Sequence, residues 1–403
     1  MRVVENNRTQ PGRLAMHGLL ESLGKLLGSY WKHHDPTRRH SRTFVCRCGK
    51  AIFFDNCECP ACHAPLAYLP EAARLLPLEP GRQPGCWQVA GDVREYRFCG
   101  NRDLPARCNW LRTAVDPNPL CIACRLNRTI PDLGDEENAR RWGLIEVAKR
   151  RMVSQLLVLG LPLKSKVDED TERGLMFDFL RSPPDGPRVL TGHAHGLITL
   201  NIEEADDVKR EQIRRAMHEP YRTLLGHFRH EIGHYYWDRL IGQGPWLERF
   251  RARFGDERSD YALAMQAHYA KGQHREWDGR FISLYAAAHP LEDWAETWAH
   301  YLHMIDSLGT ALGFGLDAGD IEGRIEPFEH DALHDPDDPG ADGFLALVNA
   351  WIEMTMVLNE LARSMGQPDF YPFVMPRPAV AKLQFVHLVI EEAATSVAGR
   401  DSR

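Results

Sequence analysis

The chain has 403 residues, 43% of them hydrophobic and 26% charged, and a formal net charge of −7 at pH 7. These values are typical of a globular protein, and they argue against a low-complexity or fibrous chain. The length predicts two or three folded units with a sizeable core. There is no run of about 18 apolar residues, so we expect no membrane span.

The charge is unevenly distributed along the chain. Residues 1–150 hold 23 Lys and Arg against 16 Asp and Glu, whereas residues 151–403 hold 26 against 40. This asymmetry indicates two units with different tasks. Residues 1–42 form a basic leader for which we expect disorder; contact with an acidic partner is the alternative. The leader lacks the apolar core and cleavage site of a signal peptide, so a cytoplasmic location is expected.

The ten cysteines all lie between Cys46 and Cys124. In a reducing compartment, clustered CxC and CxxC pairs favour metal binding over disulfides. Two such pairs, separated by a short excursion, are typical of a zinc ribbon in which each pair offers two thiolates to one tetrahedral ion. The four cysteines of this first group are Cys46, Cys48, Cys59 and Cys62.

A second cysteine group follows, and it predicts a second structural zinc site on less regular spacing. Its members are Cys99, Cys108, Cys121 and Cys124. Cys57 lies outside both groups, and Cys86 is expected to be a small buried residue. Structural zinc sites supply folding free energy that a short, loop-rich segment cannot obtain from its own core. No basic stripe interleaved with aromatic residues surrounds the ribbon, which argues against nucleic-acid recognition without excluding it.

Helical patterns dominate from residue 136. The apolar periodicity predicts a helix that ends at Gly160, and the stretch GLITLN, with residues up to Ile202, predicts a strand. His193 and His195 flank a glycine turn just before this strand. We expect them to be surface polar residues, with a role as metal ligands as the alternative.

The stretch GHFRHEIGHYYWD contains the motif HExxH. Pro220 suits the first turn of a helix that continues to Gly242. In this helix His230 and His234 lie one turn apart, which suits two imidazoles that share one metal ion. Glu231 lies beside them, where it can accept a proton from a water molecule at the site. A chance match is the alternative, so the prediction depends on a third ligand.

The stretch HPLEDWAETWAHYLH offers that ligand. Pro290 marks a helix start, and Glu292, Glu296 and His300 follow at i, i+4 and i+8 among apolar residues. An acid buried without a partner would cost several kcal/mol, so a metal ion or hydrogen-bond partner is implied. We predict that Glu292 is the third zinc ligand and that Glu296 supports a ligand imidazole. The exchange of these two roles, or a solvated Glu296, is the alternative.

Taken together, residues 43 to about 390 resemble a bacterial family of zinc-binding metallopeptidases, in which an N-terminal zinc ribbon precedes an HExxH domain. Matching stretches include NCECPAC, CIACRLNRTIPDL, EPYRTLLGHFRHEIGHYYWDRL and HPLEDWAETWAHYLH. The resemblance implies zinc at His230 and His234, a general base at Glu231, and a gluzincin-type acidic ligand within EDWAE.

The expected fold is therefore α+β and mainly helical. A zinc-ribbon module over residues 43–130 is followed by a zincin-like metallopeptidase domain over residues 131–395, with a small sheet and an HExxH helix, and by a tail over residues 396–403.

The expected function is zinc-dependent hydrolysis of peptide bonds in a peptide or protein substrate, with one catalytic zinc ion and one or two structural ones. Support for the transition state is expected from one of four side chains: Tyr235, Tyr285, His300 or Tyr301. The strand GLITLN is expected to lie along the cleft and to pair with an extended substrate. The alternative is a non-catalytic protein or nucleic-acid binding module with a relic HExxH site, and the intact Glu231 favours the peptidase.

Overall fold

The computed structural model describes residues 44–183, 185–217, 223–270, 279–314, 316 and 326–401. The predicted basic leader, residues 1–42, lies outside these ranges. The chain is 46% helical with small sheets, and a cysteine-rich N-terminal region precedes a larger, mostly helical domain. This agrees with the mainly helical α+β composition that the sequence predicts.

The N-terminal region consists of short antiparallel strands. The first two strands form a hairpin, and the next five form a sheet in which each strand pairs with its neighbour in chain order. Six buried side chains between Ala67 and Leu111 form a small core of this sheet. Other buried side chains of the region, among them Phe44, Leu66, Tyr68 and Trp110, belong to the main core of the protein. The strands are β1 (Phe44–Val45), β2 (Ala51–Ile52), β3 (Leu66–Leu69), β4 (Arg74–Pro80), β5 (Trp87–Val89), β6 (Tyr96–Phe98) and β7 (Leu111–Thr113).

The larger domain contains a four-stranded sheet in the order β10-β11-β9-β8. Strand β11 pairs antiparallel with β10 and parallel with β9. The prediction that GLITLN binds an extended substrate is therefore wrong, because both edges of β11 are already hydrogen-bonded. The strand also ends at Asn201, since Ile202 begins a 3₁₀ turn. The strands are β8 (Asn127–Thr129), β9 (Met176–Leu180), β10 (Gly192–Ala194) and β11 (Leu197–Asn201).

Eight α-helices account for most of the described part of this domain. They are α1 (Glu136–Val158), α2 (Asp207–Met217), α3 (Leu224–Tyr236), α4 (Leu247–Phe254), α5 (Tyr261–Ala270), α6 (Pro290–Gly313), α7 (Ala341–Ser364) and α8 (Arg377–Asp401). By length and composition alone α7 could cross a membrane, yet half of its most apolar window is buried inside the protein. The core helix of a folded domain can have the same length and composition, so these features are only weak evidence of a membrane span.

The helix that carries the HExxH motif begins later than predicted. Thr223 has an extended backbone, and its hydroxyl oxygen accepts a hydrogen bond from the Gly226 N–H at 2.9 Å. Thr223 is therefore the N-cap, and the helix starts at Leu224 because a capping residue lies outside the helical conformation. Pro220, the predicted start, lies outside the described residues. After Tyr236 the chain continues as a π-helical turn over Trp237–Ile241.

Helices α3 and α6 pack closely, and a glycine makes this contact possible. The Trp294 indole N–H donates a hydrogen bond to the Gly233 carbonyl oxygen at 2.8 Å. A Cβ atom on Gly233 would lie only 3.0 Å from the Ala295 Cα and 3.2 Å from the Trp298 Cβ. Gly233 thus sets the distance between the helix of HExxH and the helix of EDWAE.

Replacing Gly233 by valine is expected to lower the free energy of unfolding by about 1–3 kcal/mol, because the added side chain forces α3 and α6 apart. Chemical denaturation of the variant would measure this. Gly309→Val is the matched control in α6, since a Cβ atom there meets no atom within 4 Å. Equal effects of the two substitutions would show that helix separation is not the cause.

Candidate metal centre and cavity

Three side chains from α3 and α6 converge at one point. Nitrogen atoms of His230 and His234 and a carboxylate oxygen of Glu292 all lie within 4.8 Å of one another. The Nε2 atom of His230 is 3.2 Å from the Nε2 atom of His234 and 3.0 Å from the Oε2 atom of Glu292. The close approach of the helices at Gly233 produces this arrangement. It brings the two predicted histidine ligands on α3 next to the predicted acidic ligand on α6.

The surroundings of Glu292 show how well this cluster suits a metal ion. Its side chain is 1% exposed, yet its Oε2 atom accepts no hydrogen bond, although the His230 Nε2 atom lies 3.0 Å away. The His234 Nε2 atom lies 3.6 Å from the other oxygen, Oε1. A buried carboxylate oxygen without a hydrogen bond is costly. A cation held by this cluster would remove that cost, and two imidazoles with one carboxylate are a donor set that zinc prefers. The residues present therefore fit zinc.

Glu296 occupies the supporting position predicted for it. Its Oε1 atom lies 2.8 Å from Nδ1 of His230, on the side of the ring opposite the cluster. Its Oε2 atom accepts a hydrogen bond from the Ser283 hydroxyl at 2.5 Å. Burial lowers the pKa of His230, but the adjacent carboxylates of Glu292 and Glu296 outweigh this and raise that pKa well above its ordinary value. A carboxylate on Nδ1 fixes the ring with Nε2 toward the cluster.

Glu231 has a partner that the sequence analysis missed. The Nε2 atom of His227 lies 3.1 Å from Oε1 of Glu231, and its Nδ1 atom lies 2.6 Å from Oε2 of Glu204. His227 thus links two buried carboxylates. Burial alone would raise the pKa of Glu231, but the bond from His227 and the nearby imidazoles bring it below its ordinary value. The i, i+4 spacing of His227 and Glu231 could have predicted their contact, because such residues lie on one face of a helix. No local pattern predicts the contact with Glu204, which lies on a distant turn.

His193 is not the surface residue that the sequence predicts. Its side chain is 7% exposed, and its ring lies parallel to that of His234, with 6.3 Å between centroids. Its Nε2 atom accepts a hydrogen bond from the Gly196 N–H at 3.0 Å, so the glycine turn folds the ring inward. Burial and the nearby His234 lower its pKa to about 4. His195 is exposed, as predicted.

A cavity of about 460 Å³ opens beside the cluster. His230 and Glu231 line it at one end, and Tyr371 and Phe373 line it where α6 continues past Glu296. Helix α5 contributes one wall through four side chains. They are Tyr261, Met265, His268 and Tyr269.

The four residues predicted to support a transition state fall into two pairs. Tyr285 and His300 line the cavity, and the Tyr285 ring centroid is 5.8 Å from that of His230. Tyr235 and Tyr301 do not line it, and that prediction is wrong for both. The Tyr235 hydroxyl donates to the Arg173 carbonyl at 3.1 Å, and the Tyr301 hydroxyl is 2.9 Å from His387 Nδ1. Both tyrosines lie on helices of the site but point into the core.

The cysteines form two four-residue clusters with the predicted membership. In the first, the Sγ atoms of Cys46 and Cys62 are 3.6 Å apart, and those of Cys48 and Cys59 are 3.7 Å apart. Four thiolates on a tetrahedral zinc ion, with bonds of about 2.3 Å, are about 3.8 Å apart. These separations are too long for a disulfide and match a shared ion. Cys57 lies in neither cluster, and Cys86 is buried as predicted.

The second cluster is fully buried against α1. Its Sγ atoms include the pair Cys108 and Cys121 at 3.7 Å, and the Cys99 Sγ atom accepts a hydrogen bond from the Cys121 N–H at 3.3 Å. The guanidinium of Arg150, 2% exposed, keeps its Nε and Nη1 atoms without a hydrogen bond. Four thiolates around a divalent ion carry a net charge of about −2, which a buried cation such as Arg150 offsets. This cluster therefore also fits zinc.

Together, the cysteine clusters and the cluster of two histidines and one carboxylate define a zinc-binding protein with a ribbon-like N-terminal region. The chain belongs to the family described as "Putative zinc-binding metallo-peptidase", whose profile matches residues 138–389. A zinc-ribbon domain profile matches residues 43–135. The predicted resemblance is thereby confirmed.

Relatives in mycobacteria share nearly the whole chain. An uncharacterized protein of Mycobacterium bovis and one from each of two strains of Mycobacterium tuberculosis are each 39% identical to it over 364 residues. The similarity covers 90% of this chain and 99% of each relative. No solved structure matches the chain.

Proposed function

We propose that the protein is a zinc-dependent peptidase with a zincin-like domain of the gluzincin type. His230, His234 and Glu292 hold the catalytic ion, and Glu231 is the general base. One observation carries this proposal: Glu231, which is not a member of the ligand cluster, lines the same cavity as the ligand His230. A purely structural metal site has no need of a carboxylate beside its ligands in an open cavity.

The residues around the cluster divide the chemistry among them. Zinc, when bound, supplies a Lewis acid that acidifies water and polarises a carbonyl group. Glu231 accepts a proton from the attacking water and returns it to the leaving amine. His227 holds Oε1 of Glu231 through a hydrogen bond, so the carboxylate keeps one orientation during both transfers. Glu296 keeps His230 in the orientation that binds the ion.

Tyr285 is the side chain best placed to stabilise the developing negative charge. Its ring lies beside His230 in the cavity, and its hydroxyl makes no hydrogen bond to a residue in the described part of the chain. His300 is less suitable, because its Nδ1 atom is bonded to the Tyr371 hydroxyl at 2.7 Å and burial lowers its pKa to about 4. A neutral hydroxyl from a residue that lines the cavity is the kind of donor that such a transition state requires.

We further propose that the substrate is a peptide or protein and that the enzyme works in the cytoplasm. The two cysteine clusters each hold one structural zinc ion, which brings the total to three ions per chain. In this account the ribbon-like region stabilises the fold and is available for partner docking or substrate delivery.

A digest of a proteome-derived peptide library tests the proposed activity. Wild type and Glu231→Gln are incubated side by side with added zinc, and new peptide termini are identified by mass spectrometry. The proposal predicts cleavage products that are present with wild type and absent with the variant. Identical profiles would contradict peptidase activity and favour a binding protein with a relic site.

A further inference from the structure

Helix α5 differs from the other helices around the cavity. None of its ten residues is buried, although most are apolar. Tyr261, at its start, is 46% exposed. Its four cavity-lining residues occur at i, i+4, i+7 and i+8, which places them on one face of the helix. The helix is therefore a surface element whose inner face forms a wall of the cavity.

Despite its exposure, Tyr261 reaches the most buried member of the metal cluster. Its hydroxyl donates a hydrogen bond to Oε1 of Glu292 at 2.7 Å. The two oxygens of Glu292 thus have different surroundings: Oε1 is bonded to Tyr261 and lies 3.6 Å from the His234 Nε2 atom, whereas Oε2 accepts no hydrogen bond and lies 3.0 Å from the His230 Nε2 atom. A donor on one oxygen fixes the rotation of the carboxylate and leaves the other oxygen for a metal ion.

The start of α5 is itself fixed to the start of α6. The Tyr261 ring contacts the His289 ring edge to face, with 5.2 Å between centroids. His289 caps α6 through a bond from the Leu291 N–H to its Nδ1 atom at 3.1 Å, and its Nε2 atom lies 2.9 Å from the Ser259 hydroxyl oxygen. These contacts hold the Tyr261 ring against the start of α6.

We propose that Tyr261 is a positioning residue that holds Glu292 in its metal-binding orientation, and that α5 thereby sets the affinity of the site for zinc. The inference rests on the proposed function, because it assumes that Glu292 is a zinc ligand. It gives a function to α5, a surface helix that lies outside the HExxH and EDWAE motifs. It also explains why an exposed tyrosine is bonded to a carboxylate that is 1% exposed.

The test measures the affinity for the histidine-bound zinc ion, without any substrate. Wild type, Tyr261→Phe and Tyr269→Phe are titrated with a zinc chelator, and bound zinc is counted by native mass spectrometry. Tyr269 is the matched control, because it lies on the same face of α5 and lines the same cavity. The His230→Ala variant identifies which ion is lost. We expect Tyr261→Phe to weaken binding by about 10–100-fold, and Tyr269→Phe to leave it unchanged.

A double-mutant cycle separates positioning from a general effect on the fold. If Tyr261 acts through Glu292, Tyr261→Phe should change zinc affinity little in a Glu292→Ala background. Equal losses in both backgrounds, or wild-type affinity in Tyr261→Phe, would overturn the inference and leave the proposed function intact. If wild type holds no more zinc than His230→Ala, both the inference and the proposed function fail.

Discussion

Replacing Glu231 by glutamine is expected to lower kcat for peptide hydrolysis by about 10²–10⁴-fold while the zinc content stays unchanged. The amide keeps the size of the carboxylate but cannot accept the proton of the attacking water. Glu231 lies outside the ligand cluster, so its substitution removes a base without removing a ligand. Steady-state kinetics on a peptide identified in the library digest would measure the loss, together with zinc analysis of the same sample.

Glu296→Gln is the informative comparison for this prediction. Glu296 lines the same cavity, but its carboxylate supports His230. We expect this variant to bind zinc about 10–100-fold more weakly and to regain much of its activity when zinc is added in excess. Glu231→Gln should not respond to zinc. A Glu231→Gln variant with near wild-type kcat, or one rescued by zinc, would contradict the assignment of the base.

The largest effect on folding is expected from the second cysteine cluster. Cys108→Ser should yield protein that is unfolded or insoluble, because it removes one of four buried ligands of a structural ion. Zinc binding to such sites contributes roughly 10–16 kcal/mol, which is comparable to the total stability of a domain. The cluster also packs against α1, where Glu146 contacts the Cys124 sulfur at 3.8 Å. Its loss would also remove negative charge beside the buried Arg150, which would keep Glu146 as a partner at 4.0 Å.

Cys57→Ser is the control for this substitution. The Cys57 sulfur belongs to neither cluster and lies 3.9 Å from the Asp55 carbonyl oxygen and 3.8 Å from that of Arg107. We expect its free energy of unfolding to stay within about 0.5 kcal/mol of wild type. Soluble expression, circular dichroism and zinc content of both variants would decide the matter. A Cys108→Ser variant that folds like Cys57→Ser would show that the second cluster is not a structural zinc site.

Local patterns in the sequence were sufficient to predict the members of all three clusters. Helix periodicity is a local property of the sequence. It was therefore enough to predict that His230 and His234 share one face of a helix and that Glu292 is a buried acid. The same holds for the cysteine pairs, whose short spacings are set by the geometry of one ion. The packing of α3 on α6 at Gly233, which brings His230 and His234 to Glu292, depends on tertiary structure and was not predicted.

Features that depend on distant residues were missed. Glu204 meets His227 across 23 positions, and Tyr261 meets Glu292 across 31. No periodicity links such pairs. The order of strands in the β8–β11 sheet has the same origin, since β11 pairs on one side with its neighbour β10 and on the other with the more distant β9. Tyr235 and Tyr301 show the reverse error: their positions beside the motifs are correct, but their side chains point into the core.

Counting the zinc ions on the purified protein shows whether the HExxH motif holds a metal ion. Elemental analysis of wild type and His230→Ala, prepared without added chelator, is sufficient. We expect three ions per chain in wild type, one for each cluster, and two in the variant, which loses only the ion held by His230, His234 and Glu292. Two ions in wild type, with the same two in His230→Ala, would show that the HExxH motif holds no zinc and would contradict the proposed peptidase.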